Sequence, residues 1–387
     1  MEKKNFVQDA MQEVESLLKN AFAAAMQQGK LPENELPAFT VEIPAETTHG
    51  DFASNAAMVS ARTFRMAPVK IANILAECID CASARYIDRV EIAGPGFINF
   101  FVSDAWFASI VSGVLEAGEE YGRSDIGKGE KVMVEFVSAN PTGPMHMGNA
   151  RGGAIGDCLA AALDACGYDV TREFYINDAG NQIEKFGLSL EARYLQIYKG
   201  EDAVPFPEDG YHGEDIKERA QQYADEHGDC LLNLSEAERR QALVDFALPK
   251  NIEKLRTDLE KYRITYDVWF PESTLHQSGA VKAVVDELTS RGMTYEKDGA
   301  IWYKATEFGG EKDEVLVRAN GNPTYFTADI AYHKNKFVDR HFDRVINVWG
   351  ADHHGHVARL KGAMDAIGLD GSKLDIVLMQ LVRLMKD

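Results

Sequence analysis

The segment from Val134 to Asp157 constrains the fold of this chain more than any other part of it. It starts in an apolar run, 132–138, in which Glu135 is the single charged residue, and it continues through a loop rich in proline and glycine. Such a run is typical of a strand buried on both faces of a parallel sheet. The prolines and glycine at 141–144 end the strand and exclude a helix at that point. A helix is predicted from about Gly148, with a stop at Gly167.

This predicted helix is unusually rich in glycine, with Gly148, Gly152, Gly153 and Gly156. Each glycine weakens a helix by roughly 1 kcal/mol relative to alanine. We therefore expect the helix to approach a sheet or a nucleotide closely. Since His146 precedes it, the helix start would present an imidazole and backbone N–H groups to an anionic ligand at the end of the strand.

The pattern beyond this segment alternates between strands and helices. A returning strand is predicted at 169–176, and further strands at 300–303, 314–318 and 344–349, with a helix at about 354–367. From about 188 to 295 the pattern is mostly helical and charged. We predict an α/β catalytic domain over 116–387, with a doubly wound, Rossmann-like parallel sheet and a helical insertion at about 188–298.

The first part of the chain has the pattern of a separate module. Apolar residues at helical spacing occupy 6–26 and 69–78, and two short strands flank the turn Gly94-Pro-Gly96. A polar, glycine-rich link follows at 122–130. We predict a small α+β domain over residues 1–115.

Composition limits the class of protein. The 387 residues suffice for two or three domains, and no apolar run is long enough to span a membrane. Five cysteines suggest a reducing compartment, and Cys78 and Cys81 are expected to be free thiols in a helical pattern. The net charge of −20 by itself argues against a nucleic-acid binder. However, it does not locate a basic face, and it fits a cationic small substrate.

Two carboxylates are candidates for recognising such a cation. Glu135 lies near the end of the apolar strand, where either an internal Lys or Arg or a substrate cation could be its partner. Tyr325 and Asp329 stand four apart and would share a face at a helix start, although Asp329 could be only a helix-terminal charge. A guanidinium is a planar fork of N–H donors, and two carboxylates placed around it would match that geometry.

A cluster of histidines follows the strand at 344–349. His353, His354 and His356 stand close to Gly350 and Asp352, which could suggest a metal site. We favour a strand-end loop that contacts a nucleotide, because no further ligand cluster completes a metal site.

Taken together, these motifs resemble those of one enzyme family. The His-Met-Gly-Asn sequence at 146–149 is similar to the His-Ile-Gly-His signature of class I aminoacyl-tRNA synthetases, and the preceding Ser-Ala-Asn-Pro-Thr-Gly-Pro narrows the resemblance to arginyl-tRNA synthetases of the bacterial type. The resemblance covers essentially the whole chain. It implies an ATP-dependent ligase that forms arginyl-adenylate and transfers arginine to the 2′-hydroxyl of the terminal adenosine of tRNA(Arg), with tRNA required for the first step and Mg²⁺ expected on ATP.

The resemblance also implies roles for individual residues. Arginine would be held by Glu135, Ser138, Asn140, Tyr325 and Asp329. ATP would be bound by Pro141, Gly143, His146, Gly148, Asn149, Gly350, Asp352, His353 and His356, with His146 and Asn149 catalytic. The N-terminal module would contact the corner of the tRNA. A cytoplasmic location and a monomeric state are expected.

The chain departs from the family's pattern in one respect. Class I synthetases carry a Lys-Met-Ser-Lys-Ser-type loop, and this family has a C-terminal anticodon-binding domain; neither is found before Asp387. We therefore expect a truncated chain with little or no turnover, since the lysines of that loop act on the ATP phosphates in the transition state.

Two other functions remain open at this point. One is a different class I ligase or nucleotidyl transferase, against which the pair Glu135 and Asp329 argues. The other is a non-enzymatic fragment that binds tRNA or arginine. The sequence leaves undecided whether Asp387 is a natural end, which surface would contact tRNA, what the oligomeric state is, and which of the three clustered histidines face a nucleotide.

Overall fold

The computed structural model describes residues 5–380 and 382, except for the side chain of Asp352. Residues 381 and 383–387, which include the chain end at Asp387, lie outside the described residues. The chain forms two compact units, which divide between Arg123 and Ser124. A helix runs through position 115, where the sequence pattern suggested the end of the first module.

The first unit is a small α+β fold. Its elements are α1 (Phe6–Gln27), β1 (Val41–Glu42), β2 (Phe52–Ser54), α2 (Ala56–Phe64), α3 (Pro68–Cys78), β3 (Ile87–Ala93), β4 (Phe97–Val102) and α4 (Asp104–Ala117). The strands form an antiparallel sheet in the order β1-β2-β4-β3. The predicted turn at Gly94–Gly96 joins β3 to β4, and the apolar faces of α1 and α3 cover the sheet, as their spacing predicts.

The second unit contains the remaining elements. They are β5 (Lys131–Glu135), α5 (Met147–Ala165), β6 (Asp169–Ile176), α6 (Asn181–Lys199), α7 (Glu214–His227), α8 (Glu236–Lys261), β7 (Val268–Pro271), α9 (Ser273–Gln277), α10 (Ala280–Ser290), β8 (Thr294–Lys297), β9 (Ala300–Tyr303), β10 (Glu314–Val317), α11 (Tyr325–Lys334), β11 (Arg344–Gly350), α12 (His354–Ala366) and β12 (Leu374–Met379). A π-helical turn, Asn335–Asp339, continues α11.

The main sheet of this unit is parallel throughout, in the order β12-β11-β5-β6-β7. On one face Val132 and Val134 of β5 pack with α5 and α8, and on the other face Met133 packs with α10, α11 and α12. The predicted doubly wound α/β fold is therefore confirmed. Chain order reverses between β5 and β11, and ligands bind at such switch points outside the carboxyl ends of the strands.

The helical insertion is shorter than the predicted range of 188–298. Helices α6, α7 and α8 form their own apolar cluster, but β7 lies within the predicted range and is the edge strand of the main sheet. This short strand was missed because Val-Trp-Phe-Pro shows no alternation and ends in proline. Strand β8 was likewise missed; it belongs to a small antiparallel sheet in the order β10-β9-β8.

The structure shows what the glycines of α5 approach. A Cβ at Gly156 would lie 2.1 Å from Cγ of Phe136, and Cβ atoms at Gly152 and Gly153 would meet Met379 and Ile264. These three glycines therefore allow α5 to pack closely on the sheet and its surroundings, whereas Gly148 lines the cleft described next.

Candidate active site

A cleft of about 910 Å³ opens at the carboxyl ends of β5 and β11. Its walls come from the turn after β5, the start of α5, the cleft-facing side of α11, the end of β11 and the start of α12. Among the predicted site residues, those lining it are Glu135, Ser138, His146, Gly148, Asn149, Tyr325, Asp329, Gly350, His353 and His356. Ten residues from three separate stretches of the sequence thus meet in one cavity.

The strand β5 ends at Glu135, three residues before the end of the predicted strand. The chain turns there through Val137 and Ser138, whose φ values are +67° and +41°. Positive φ is strained for a β-branched residue such as valine, and such strain concentrates at functional sites. The turn brings Oγ of Ser138 to 3.1 Å from Oε1 of Glu135, where it donates a hydrogen bond, and the same Oγ accepts one from the backbone N–H of Tyr175.

The partner of Glu135 is an internal lysine, one of the two alternatives that the sequence left open. Nζ of Lys336 lies 2.6 Å from Oε2 of Glu135 and also donates to Oδ1 of Asn347 at 3.3 Å. Asn347 stands beside Glu135 on β11, and the lysine side chain is fully buried. Glu135 itself is almost buried, yet it lines the cleft. One buried carboxylate is therefore already neutralised by the protein.

Helix α11 carries the second carboxylate. Tyr325 and Asp329 both face the cleft from its first turns, as their spacing predicts. Oδ2 of Asp329 lies 2.8 Å from Nε2 of His356, so this histidine contacts the carboxylate predicted to hold a guanidinium. Tyr325 is 40% exposed and also lines a neighbouring cavity of about 370 Å³, which places its ring at the border of the two spaces.

Negative charge converges on the side chain of Tyr175, near the end of β6. Burial raises the pKa of the Tyr175 hydroxyl, and the nearby carboxylates of Glu272, Asp329 and Glu135 raise it further. Glu272 is itself buried, and that burial raises its pKa. Since Lys336 already balances the charge of Glu135, Asp329 and Glu272 are the acidic side chains of this set that can attract a further cation.

The opposite end of the cleft is built around the start of α5. Nδ1 of His146 accepts a hydrogen bond from the backbone N–H of Gly148, and Oδ1 of Asn149 accepts one from the backbone N–H of His146. The two residues thus form a reciprocal helix cap. Since Nδ1 is an acceptor, the neutral imidazole carries its proton on Nε2, and the amide of Asn149 retains its N–H₂ donors. Both are suited to contact an anion at the positive end of the helix.

Three predicted residues do not line the cleft. Asn140 is exposed, and Pro141 is buried with its carbonyl accepting a hydrogen bond from Nδ2 of Asn251 in α8. Gly143 faces Asp215 of α7. The loop before His146 is therefore held by the helical insertion. Of the histidine cluster, His353 and His356 line the cleft; exposed His354 does not, and the side chain of Asp352 lies outside the described residues.

Several residues of the site were missed in the sequence. Tyr175, Asn347 and Trp349 line the cleft, and Lys336 stands behind Glu135. Asn347 had a usable signal, because it is a polar residue within an apolar strand. Lys336 had none, since it is one of several basic residues in a polar stretch and only the fold buries it.

Within the described part of the chain, no group of three or more His, Cys, Asp or Glu side chains is placed so that it could hold a metal ion. Across the same residues, the helices are too short or too polar to cross a membrane.

Comparison with known proteins supports one family. The family model for the catalytic domain of class I (R) tRNA synthetases matches residues 110–380, and that for the arginyl-tRNA synthetase N-terminal domain matches residues 12–102. The arginine–tRNA ligase of Acetivibrio thermocellus is 57% identical over 99% of this chain, which spans 68% of that relative's length. For the arginine–tRNA ligase of Caldanaerobacter subterraneus, the values are 58%, 99% and 67%.

A solved structure agrees at the level of the fold. The arginyl-tRNA synthetase of Thermus thermophilus matches with a TM-score of 0.57 at 20% identity, over 94% of this chain and 65% of that one. The two family models and the close relatives carry the assignment further than the fold. The chain belongs to the arginyl-tRNA synthetases, the class I arginine–tRNA ligases.

Proposed function

We propose that the cleft binds L-arginine at its acidic end and ATP at the start of α5, and that it joins them as arginyl-adenylate. One observation carries this proposal: Glu135 and Asp329 share a single cavity with the helix start that holds His146. A cation and a phosphate ester can therefore bind next to each other in this cavity.

The acidic end is suited to the arginine side chain. Asp329 offers a carboxylate to the guanidinium, and His356 orients that carboxylate through its hydrogen bond. Glu135, held by Ser138 and Lys336, presents its remaining acceptor capacity to the substrate. Tyr325 would cover the planar guanidinium with its ring. This combination favours a planar, charged fork over a neutral side chain.

The other end is suited to the phosphates. The Nε2–H of His146 and the side-chain N–H₂ of Asn149 would contact oxygens of ATP, and the positive end of the α5 dipole would attract them. These donors are held in place by the helix cap before any substrate binds. They stabilise the negative charge that grows on the α-phosphate in the transition state. Gly350 and His353 would contact the adenosine from the end of β11.

Two steps follow from this arrangement. A carboxylate oxygen of arginine attacks the α-phosphorus in line, the bond to the bridging oxygen breaks, and pyrophosphate leaves with the electron pair. The 2′-hydroxyl of the terminal tRNA adenosine then attacks the arginyl carbonyl. The bond from the carbonyl carbon to the phosphate oxygen breaks, AMP leaves with the electron pair, and the hydroxyl proton passes to the AMP phosphate or to water. Following the family, we propose that Mg²⁺ arrives bound to the ATP phosphates.

We further propose, following the family, that the first unit contacts tRNA(Arg) and that the protein acts as a cytoplasmic monomer. The first unit is a separately packed α+β fold with its own apolar core. It can therefore serve as a binding module of its own.

The substrate assignment is tested by calorimetry of L-arginine binding to the 387-residue chain, with citrulline as the matched ligand. Citrulline keeps the shape of arginine but lacks its charge. We expect arginine to bind and citrulline to bind more weakly by a factor on the order of 10³ or more, because bound citrulline would leave buried acceptors unpaired. The variant D329N should reduce this discrimination. Equal affinity for the two ligands would refute the assignment.

A further inference from the structure

Lys336 is a fully buried cation at the back wall of the cleft. Its ammonium contacts the Glu135 carboxylate at 2.6 Å and the Asn347 amide oxygen at 3.3 Å, and it lies 4.0 Å from the ring centroid of Tyr332. The residue belongs to the π-helical turn that follows α11. Such turns are rare and occur frequently at functional sites.

Stability alone does not account for this pair. Burying two charges costs several kcal/mol per ion, and well-packed apolar residues in their place are often as stable or more stable. The position of the pair is more informative. Glu135 lines the cleft, whereas Lys336 does not. The lysine therefore acts on the cleft only through the glutamate.

The Glu135 carboxylate is held at both oxygens. Oε2 accepts from Lys336 and Oε1 accepts from Ser138, which the strained turn after β5 brings into place. Each carboxylate oxygen can accept more than one hydrogen bond. Two contacts from behind thus fix the plane of the group and leave acceptor capacity for a donor in the cleft.

We propose that Lys336 is a positioning residue for arginine: it keeps the Glu135 carboxylate paired and oriented while the cleft is empty. This inference rests on the proposed function of the cleft and deepens it. Without the lysine, a nearly buried carboxyl group would take up a proton when no substrate is bound. Arginine would then have to displace that proton in order to bind.

The other charged and titratable groups around Glu135 do not replace the lysine. The groups that interact directly with Glu135 or Lys336 are Tyr175, Tyr266, Tyr332 and His333. Those that interact with these groups or with their partners are Glu173, Glu272, Asp329, His356 and Arg340. Arg340 is paired with Glu173, with Nη1 at 2.9 Å from Oε1. Burial lowers the pKa of His333 well below its ordinary value, which leaves the imidazole neutral. Lys336 is the cation that contacts Glu135 among the described residues.

The first test compares arginine affinity by calorimetry at pH 6 and pH 8 in the wild type, K336M and K336R. We expect little change with pH in the wild type. K336M should bind arginine roughly tenfold or more weakly at pH 6 than at pH 8, and buffers of different ionisation heat should reveal proton release on binding. K336R should restore the wild-type profile.

K334M is a matched control, because Lys334 is two residues away and pairs with Glu287 outside the cleft. It should behave as the wild type. A K336M chain with the wild-type affinity and pH profile would overturn the inference. So would a loss of affinity that is the same at both pH values and is not restored in K336R.

The second test separates positioning from a structural role by the sign of its result. In an E135Q background, Lys336 has lost its partner, and its charge would repel the guanidinium. Replacing it as well, in E135Q/K336M, should strengthen arginine binding by several-fold to about tenfold relative to E135Q. A structural lysine would produce no change or a further loss.

The double variant also buries no unpaired charge, so it remains informative if K336M alone fails to fold. The two levels of the argument fail in different ways. A wild type that does not bind arginine refutes the proposed function and this inference with it. A wild type that binds arginine and rejects citrulline, with no sign reversal in the E135Q background, refutes this inference alone.

Discussion

Replacing Gly156 by alanine should destabilise the catalytic unit, because α5 approaches the sheet most closely at this residue. A Cβ there would lie 2.1 Å from Cγ and 2.4 Å from Cβ of Phe136. Phe136 cannot easily move away. Its backbone carbonyl accepts from the Tyr266 hydroxyl at 3.1 Å, its ring stacks on the same tyrosine, and its backbone N–H is bonded to β6.

The magnitude follows from two opposing effects. Alanine in place of glycine favours a helix by about 1 kcal/mol. Overpacking a filled interior costs about 1–3 kcal/mol and occasionally more, and a contact that requires a shift of more than about 1 Å near the backbone belongs at the upper end of that range. We expect a net loss of about 2 kcal/mol in the free energy of unfolding.

Gly152 provides the matched control in the same helix. A Cβ there would meet Cε of Met379 at 2.8 Å, which is the far end of a flexible side chain. G152A gains the same helix propensity at little steric cost, so its stability should change by less than about 1 kcal/mol in either direction.

The assay is urea unfolding followed by tryptophan fluorescence. Trp106 lies in the first unit and the other three tryptophans lie in the second, so a W106F background reports the catalytic unit alone. If G156A proves as stable as G152A, the close packing of α5 on Phe136 is wrong.

Two further predictions concern buried polar groups. The change N251A removes the donor to the Pro141 carbonyl and the acceptor for Arg219. It should therefore lower the free energy of unfolding of the catalytic unit by about 1–3 kcal/mol, measured by urea unfolding, and weaken ATP binding, measured by nucleotide titration. An unchanged ATP affinity would contradict the proposed link between Asn251 and the loop before His146. Burial lowers the pKa of His333 in the folded protein. Below the ordinary histidine pKa of about 6.5, the unfolded chain therefore binds more protons at this residue than the folded protein does. Stability from this group is therefore present above that pH and lost as the pH falls, and H333Q should flatten the fall in the urea midpoint between pH 7 and pH 5; an equally steep fall in H333Q would contradict this.

Local patterns predicted most of the secondary structure that positions the site. The strand at 169–176 was predicted with its observed bounds, and the helix from Met147 ends before Gly167, whose φ is +85°. A helix does start at Tyr325, which is the condition under which Tyr325 and Asp329 were expected to share a face. These elements combine regular apolar spacing with strong start or stop residues, so neighbouring residues determine them.

Predictions were weaker where distant contacts decide. Strand β7 has no alternating pattern and forms only because β6 offers it an edge. The carbonyl of the buried Pro141 accepts a hydrogen bond from Asn251, which lies in α8 more than a hundred residues away. No local pattern records such a partner.

By itself, the sequence determined the family, most of the strands and helices that position the site, and the residue types that carry the chemistry, because these reside in contiguous motifs such as that around His146. The tertiary structure alone decided how the charges are paired. It placed Lys336 against Glu135 and His356 against Asp329, although each pair is widely separated in the chain. An electrostatic partner is set by distance in space and by burial, and both arise only when the sheet brings β5, β11 and α11 together.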